Sequence, residues 1–259
     1  MTLSSKGLPP ATARLWAALS AQPLLSGFVL VGGTALALRI AHRISEDLDF
    51  AWGGERLPAR RIDRLMERLR QDGFLVEKIS SLAEEQEFLN DGLVLQDYQR
   101  DILVGTVRLT FFCADRELRE VLDSLPREEG GPVVADLDRL FAAKALVCAH
   151  RSRTRDWLDL YLLMTKHGYR MEDLRAVFER HDRYGWDPAI ARLVAAEPPP
   201  NDEGYRSLLV SPPTLDDLRA FFIGERARME SRLARAARSS GSDPESGAED
   251  RDPHPGRRP

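Results

Sequence analysis

The chain has 259 residues, 43% of them hydrophobic and 30% charged, with a formal net charge of −4, so it is long enough to bury a real core in one large domain or two modest ones. No run of about eighteen apolar residues could span a membrane, and the start, MTLSSKGLPPATARLW, lacks the basic, apolar and small-residue segments of a signal peptide, so a cytoplasmic location is expected. The bulk charge does not announce nucleic-acid binding, and Cys113 and Cys148 stand in no metal-ligand spacing, reading instead as buried, reduced thiols.

In chain order, residues 12–22 read as a short helix. GFVLVGG (27–33) is a β-branched run ending in glycines, a buried strand entering a turn. TALALRIAH (34–42) follows with helix formers, and the Thr34 hydroxyl is a candidate N-cap. EDLDFAW (46–52) alternates acidic and apolar residues, the period-two mark of a strand that turns Asp47 and Asp49 to one face and Leu48 and Phe50 to a core. ARRIDRLMERLRQDG (59–73) is an amphipathic helix with the stripe Ile62, Leu65, Met66 and Leu69, ended by Gly73. FLVEKIS (74–80), LVLQDYQRDIL (93–103) and TVRLTFFC (106–113) read as strands, the last two as a hairpin turned near Gly105.

After about residue 116 only helices are read. Asp136 caps one running to about His150, TRDWLDLYLLMTKHG (154–168) is the next, and MEDLRAVFERH and WDPAIARLVAA are two shorter ones. A proline-rich loop precedes Thr214 and Asp217, which resemble a capping box at the start of a last helix running to about 237. The expected class is α+β: a small mixed-sheet core (1–115), a helical part (116–238) and a polar, Gly/Pro-rich tail (239–259) expected to be disordered.

Three local features carry chemistry. Two carboxylates on one strand face repel unless a cation sits between them, and Asp47 with Asp49 suits Mg²⁺, which takes one or two carboxylates plus substrate phosphates. Gly32 and Gly33 fall between a strand and a helix, where backbone amides and a helix N-terminus can cradle phosphate. Together these make the layout needed for attack on a nucleotide α-phosphate. Taken singly, a D-x-D pair is more often a solvated strand face, and a double glycine usually only a turn. Neither G-x-G-x-x-G nor a P-loop is present. Downstream, Lys144 faces the same way as His150 and Arg151, and Asp156 and Asp159 share a face of the next helix. That group is either a phosphate-neutralising wall or an interhelical salt-bridge network. The stretch CAHRSRTRD (148–156) is either a solvated helix end or a phosphate-meeting patch.

The segment LVGGTALAL…AHRISEDLDF, followed by DLDRLFAAKALVCAHRSRTRDWLDLYLLM, resembles the AbiEii/AbiGii-type nucleotidyltransferase toxins, the toxin halves of type IV toxin–antitoxin (abortive-infection) systems within the DNA polymerase β-like superfamily. The resemblance covers roughly residues 25–180. Carried over residue by residue, it implies that Gly33 and Thr34 bind the triphosphate, with Gly32 beside them. Asp47 and Asp49 would hold Mg²⁺, Arg43 and Ser45 would support the loop, and Lys144 would contact phosphates. Asp156 or Asp159 would supply the late acid, and Arg151 would add a phosphate contact. The family implies transfer of NMP from an NTP to an acceptor such as the tRNA 3′ end, and an antitoxin encoded nearby that need not form a stable complex. One departure is Thr110, standing where related enzymes carry a third carboxylate. Two other outcomes therefore stay open: nucleotide or RNA binding without catalysis, and kinase-like transfer of a γ-phosphate to a protein.

Overall fold

A computed structural model describes residues 3–79, 81–123 and 130–240. The first helix, α1 (Pro10–Leu19), starts earlier than expected because Pro10 occupies its first turn, where a missing N–H costs nothing. Strand β1 (Phe28–Val31) leads directly into α2 (Gly32–Ile40). The helix therefore begins two residues before Thr34, and the N-cap expectation for Thr34 is overturned. Val31 is the cap residue and makes no side-chain cap bond, while Thr34 is buried one turn inside.

Strand β2 (Leu48–Trp52) follows, then the amphipathic α3 (Ala59–Gln71), whose expected stripe is buried throughout and which ends at Gly73 with φ +83°. Beyond β3 (Val76–Ile79) comes α4 (Leu82–Asn90), a surface helix with no buried residue, so that no apolar stripe announced it. The stretch read as one long strand from 93 is a 3-10 turn at Leu95–Asp97 followed by β4 (Gln99–Val104). It forms a hairpin with β5 (Val107–Cys113) across Gly105, whose φ of +63° suits glycine.

Helix α5 (Arg116–Leu122) is capped by Asp115, the residue at which the sequence shift places the end of the first domain. A two-residue strand, β6 (Val133–Val134), falls in the stretch read as purely helical; two residues carry no period to read. Then come α6 (Leu137–His150), capped by Asp136 as expected, α7 (Thr154–His167), α8 (Met171–His181), α9 (Trp186–Ala195) and α10 (Leu215–Ser240). The Thr214–Asp217 capping box is present, with reciprocal bonds of 2.8 and 3.1 Å. From residue 241 the tail expected to be disordered lies outside the described residues. No helix among them is long and apolar enough to cross a membrane.

The strands form one mixed sheet in the order β3-β4-β5-β2-β1-β6. Strand β2 is central, antiparallel to β1 and parallel to β5. Its odd positions face the site and its even positions the core: Leu48 and Phe50 are fully buried. Phe111 stacks on Phe50 at 5.6 Å and meets Phe28 edge-on at 5.3 Å. Removing each ring from water contributes about 2–3 kcal/mol, and this cluster holds β1, β2 and β5 in the register that matters for the site. The remaining helices gather around α6, which contacts α2 as well as α5, α7, α8 and α9, tying the helical part to the sheet.

Candidate active site

On the face of the sheet opposite the phenylalanine cluster, a cavity of about 730 Å³ opens between β2, β5, α2 and the α6–α7 junction. That is within the usual range for a small-molecule site. Asp47 and Asp49 both line it, on the same side as expected. The register sets Asp49 opposite Val31 on β1 and Thr110 on β5. Neither aspartate side chain has a hydrogen-bond or ion-pair partner among the described residues. Burial raises the Asp47 carboxyl; burial together with the neighbouring Asp47 pushes Asp49 up to about 6. Two half-buried carboxylates left without a cationic partner make a hard-oxygen donor pair suited to a divalent cation. Among the described residues no third His, Cys, Asp or Glu completes a three-ligand cluster. That fits Mg²⁺, which completes its shell with water and substrate phosphate.

Facing this pair is the open N-terminus of α2. Gly32 and Gly33 line the cavity, and with no side-chain cap the first amides of the helix remain available to an anion. Glycine is required at both places. Gly32 has φ +72°, and a Cβ there would lie 2.6 Å from Asp49 Oδ2; a Cβ on Gly33 would collide with the Arg43 guanidinium and sit 2.9 Å from Ser45 Oγ. Thr34 does not reach the cavity. Its hydroxyl donates to the carbonyl of Asp47 and lies 2.9 Å from Ser45 Oγ, pinning the turn that carries the acids.

The downstream residues converge on the same place. Ala41, in the left-handed region at φ 46°, turns the chain after α2 and brings His42 and Arg43 back against α7. Arg43 donates to both oxygens of Asp159 at 2.7 and 3.1 Å, and His42 Nε2 lies 2.9 Å from the same carboxylate. Lys144 Nζ bridges Asp156 at 2.6 Å and Asp159 at 2.7 Å, and Arg151 Nε reaches the other Asp156 oxygen at 3.0 Å. Burial alone would raise both acids. Arg43 and Lys144 more than offset this and hold Asp159 well below the usual carboxylate range; Lys144 and Arg151 do the same, less strongly, for Asp156. Lys144, although burial works against its charge, is kept protonated by the two aspartates. His42 is pushed down by burial despite Asp159, and its Nδ1 is buried without a hydrogen-bond partner among the described residues.

Of the two alternatives read for this group, the interhelical salt-bridge network is present, and several of its members also border the cavity. Lys144, Asp156 and Arg151 line the cavity, and so do Arg43 and Ser45. Asp159, fully buried, sits behind them. The patch at 148–156 is an exposed helix end, with His150, Arg151 and Arg153 in solvent, and these three together with Arg155 also line the cavity. The proline-rich loop closes its rim. There Asp202 accepts from Thr154 N at 3.1 Å, capping α7 from outside, and Arg155 donates to Gly204 O at 3.0 Å.

Sequence reasoning missed Asp101 and Arg108, which also line the cavity. Asp101 pairs with Thr110 across β4 and β5 and accepts from Thr110 Oγ1 (2.7 Å), Gln99 Nε2 (2.8 Å) and Arg108 Nε (3.1 Å). The alternation of Gln99, Asp101, Arg108 and Thr110 in two paired strands was the available signal. Both cysteines are free thiols, Cys148 buried and Cys113 only half-buried.

The model of the family described as nucleotidyl transferase AbiEii toxin, type IV TA system, matches residues 14–246. A protein of Aquifex aeolicus (strain VF5), "Uncharacterized protein aq_aa25", is 28% identical over 163 residues, 62% of this chain and 68% of that one. Among solved structures, JHP933 from Helicobacter pylori superposes with a TM-score of 0.51 at 17% identity, covering 93% of this chain and 99% of its own. MenT4, a nucleotidyltransferase toxin from Mycobacterium tuberculosis H37Rv, gives 0.46 at 15% identity over 82% of this chain and 78% of its own.

Proposed function

The chain belongs to the AbiEii nucleotidyl transferase toxin family of type IV toxin–antitoxin systems, and from that premise we propose that it transfers NMP from an NTP, with Mg²⁺, to an RNA acceptor of the tRNA 3′-end type. The observation that carries this reading is the unpartnered pair Asp47 and Asp49, lining the same cavity as the uncapped N-terminus of α2. A triphosphate lying on the amides of Gly32 and Gly33 brings its α-phosphate to the two carboxylates. Asp47 and Asp49 would hold Mg²⁺, which would offset charge at that phosphate and lower the pKa of the attacking hydroxyl.

The acceptor oxygen forms a bond to the α-phosphorus, the bond from that phosphorus to the bridging oxygen breaks, pyrophosphate leaves, and the hydroxyl proton is released. The chain's own residues bind and orient. Lys144, fixed between Asp156 and Asp159, is a stationary positive charge at the cavity floor. The terminal nitrogens of Arg151 remain available for phosphate oxygens, and bonds of this kind strengthen as charge moves to the leaving group. Asp159, Thr34 and Ser45 are positioning residues that hold the lysine and the acid-bearing turn. An antitoxin encoded nearby, without a stable complex, completes the reading.

The test is incubation of the protein with total tRNA, Mg²⁺ and each α-³²P NTP in turn, beside the Asp47→Ala, Asp49→Ala double variant. Label on RNA from the wild type alone is expected. Label from both proteins, or from neither, overturns the reading. Label carried instead from γ-³²P NTP to protein establishes the kinase-like alternative, and NTP binding with no transfer of either label establishes a binding protein.

A further inference from the structure

We propose that Arg108 is a triphosphate-binding residue, positioned by Asp101, and that it closes on the nucleotide from the sheet side while Arg151 closes from the helical side. The inference rests on the nucleotidyl-transfer reading and names the residues that grip its substrate.

The register places Arg108 beside the acid pair. Leu48 pairs with Leu109 and Asp49 with Thr110, so Arg108 is the β5 residue next to Asp47 on the same face. Its side chain reaches diagonally to Asp101 on β4, within the range of long side chains on paired strands. Asp101 is itself almost enclosed: its side chain is 10% exposed and takes bonds from Thr110, Gln99 and Arg108. Burying a carboxylate to fix an arginine that stays 51% exposed gains little stability, because a half-exposed ion pair is worth at most about 1 kcal/mol. What the arrangement achieves is orientation. Only Arg108 Nε is used, and its terminal guanidinium nitrogens have no protein partner among the described residues.

Arg151 repeats the device on the opposite wall. Its Nε is held by Asp156 at 3.0 Å, and its terminal nitrogens are also without a partner among the described residues. Both arginines line the cavity, and Asp49 acts electrostatically on each. The other deep cations are more fully engaged. Lys144 spends two bonds on aspartates, and Arg43 spends bonds on Asp159 and on the carbonyl of Ile44. Arg108 and Arg151, each pinned through Nε with its fork unbonded among the described residues, are thus placed for the many oxygens of a triphosphate, and an arginine fork meets phosphate oxygens two at a time. Asp101 accepts from three donors, two of them on one oxygen, and so is committed to holding Arg108 and Thr110.

The experiment is equilibrium binding of inorganic tripolyphosphate, and of each NTP, with Mg²⁺, to the full-length wild type and to Arg108→Gln, Arg108→Lys, Asp101→Asn and the Asp101→Asn, Arg108→Gln double variant. Circular dichroism confirms that each is folded. Arg108→Gln should bind tripolyphosphate and NTPs about 10- to 100-fold more weakly, the range for losing charge-assisted bonds, and Arg108→Lys should recover part of the loss. Asp101→Asn should weaken binding in the wild-type background but not in the Arg108→Gln background, as a residue acting through Arg108 must. Unchanged tripolyphosphate affinity in Arg108→Gln overturns the inference, as does a loss confined to binding of total tRNA. A wild type that binds neither tripolyphosphate nor NTP overturns both the clamp and the transfer reading. Arg108-dependent binding without label transfer supports the clamp and sinks the transfer reading alone.

Discussion

Arg43 and Asp159 lie 116 residues apart in the chain and meet through two N–H···O bonds of 2.7 and 3.1 Å, with the carboxylate fully buried. This pair joins the turn after α2 to the middle of α7, and Lys144 and His42 close around the same carboxylate. Removing the charge leaves two buried cations with one partner fewer.

Asp159→Asn is therefore expected to destabilise the fold by about 3–5 kcal/mol, the cost of breaking a buried pair from one side, measured by urea unfolding. A change below about 1 kcal/mol would sink the account. The pH dependence has a definite sign. Asp156 and Asp159 have folded pKa values below their unfolded ones, so their contribution is complete above the unfolded carboxylate range and is lost as pH falls through the depressed folded values. Acid unfolding of the wild type should show this loss, and Asp159→Asn should show less of it.

Asp49 carries the opposite sign. Its carboxyl is pushed up to about 6 by burial and by Asp47, so the folded state holds a proton that the unfolded state releases at lower pH, and stability falls as pH rises towards 6. In divalent-free buffer Asp49→Asn should match the wild type near pH 4 and be more stable above pH 6, by on the order of 1–3 kcal/mol. Adding Mg²⁺ should raise the melting temperature of the wild type and leave that of the variant unmoved. Equal Mg²⁺ responses would show that the acids do not bind the ion.

Gly33→Ala tests the cradle. The added Cβ meets the Arg43 guanidinium and Ser45 Oγ, and Arg43 cannot yield without loosening Asp159. The expected result is a loss of about 1–3 kcal/mol, the usual cost of overpacking, together with loss of NTP binding. Retained binding at wild-type affinity would place the phosphates elsewhere.

Thr110→Asp tests the missing third carboxylate. The new acid would stand opposite Asp49 on one side and Asp101 on the other, adding like charge and removing the 2.7 Å bond to Asp101. Its melting temperature should fall in divalent-free buffer, and Mg²⁺ should raise it by more than it raises that of the wild type. A variant insensitive to Mg²⁺ would mean that position 110 does not face the ion.

Several elements were legible because they are set by neighbours a few residues away. The α3 stripe follows from a 3.6-residue period, and Asp136 and the Thr214–Asp217 box follow from caps reaching three residues along the chain. Alternation alone placed Asp47 and Asp49 on one face, and the two glycines before a helix announced an open N-terminus. Even here Thr34 misled: a hydroxyl near a helix start reads as a cap, yet the glycines let the helix begin earlier and freed Thr34 to bond Asp47 and Ser45.

What the chain by itself determined was most of the elements, α4, α5 and β6 excepted, and the acid pair and double glycine that line one cavity. Only the tertiary structure decided that Asp159 lies behind the cavity while Asp156 lines it, that the arginines after α6 line it as well, and that Asp101 and Arg108 belong to the site at all. The physical reason is range. Periods and caps act within one or two turns of a single segment, whereas strand register and charge pairing across 116 residues exist only once the sheet and the helices around α6 have packed against one another.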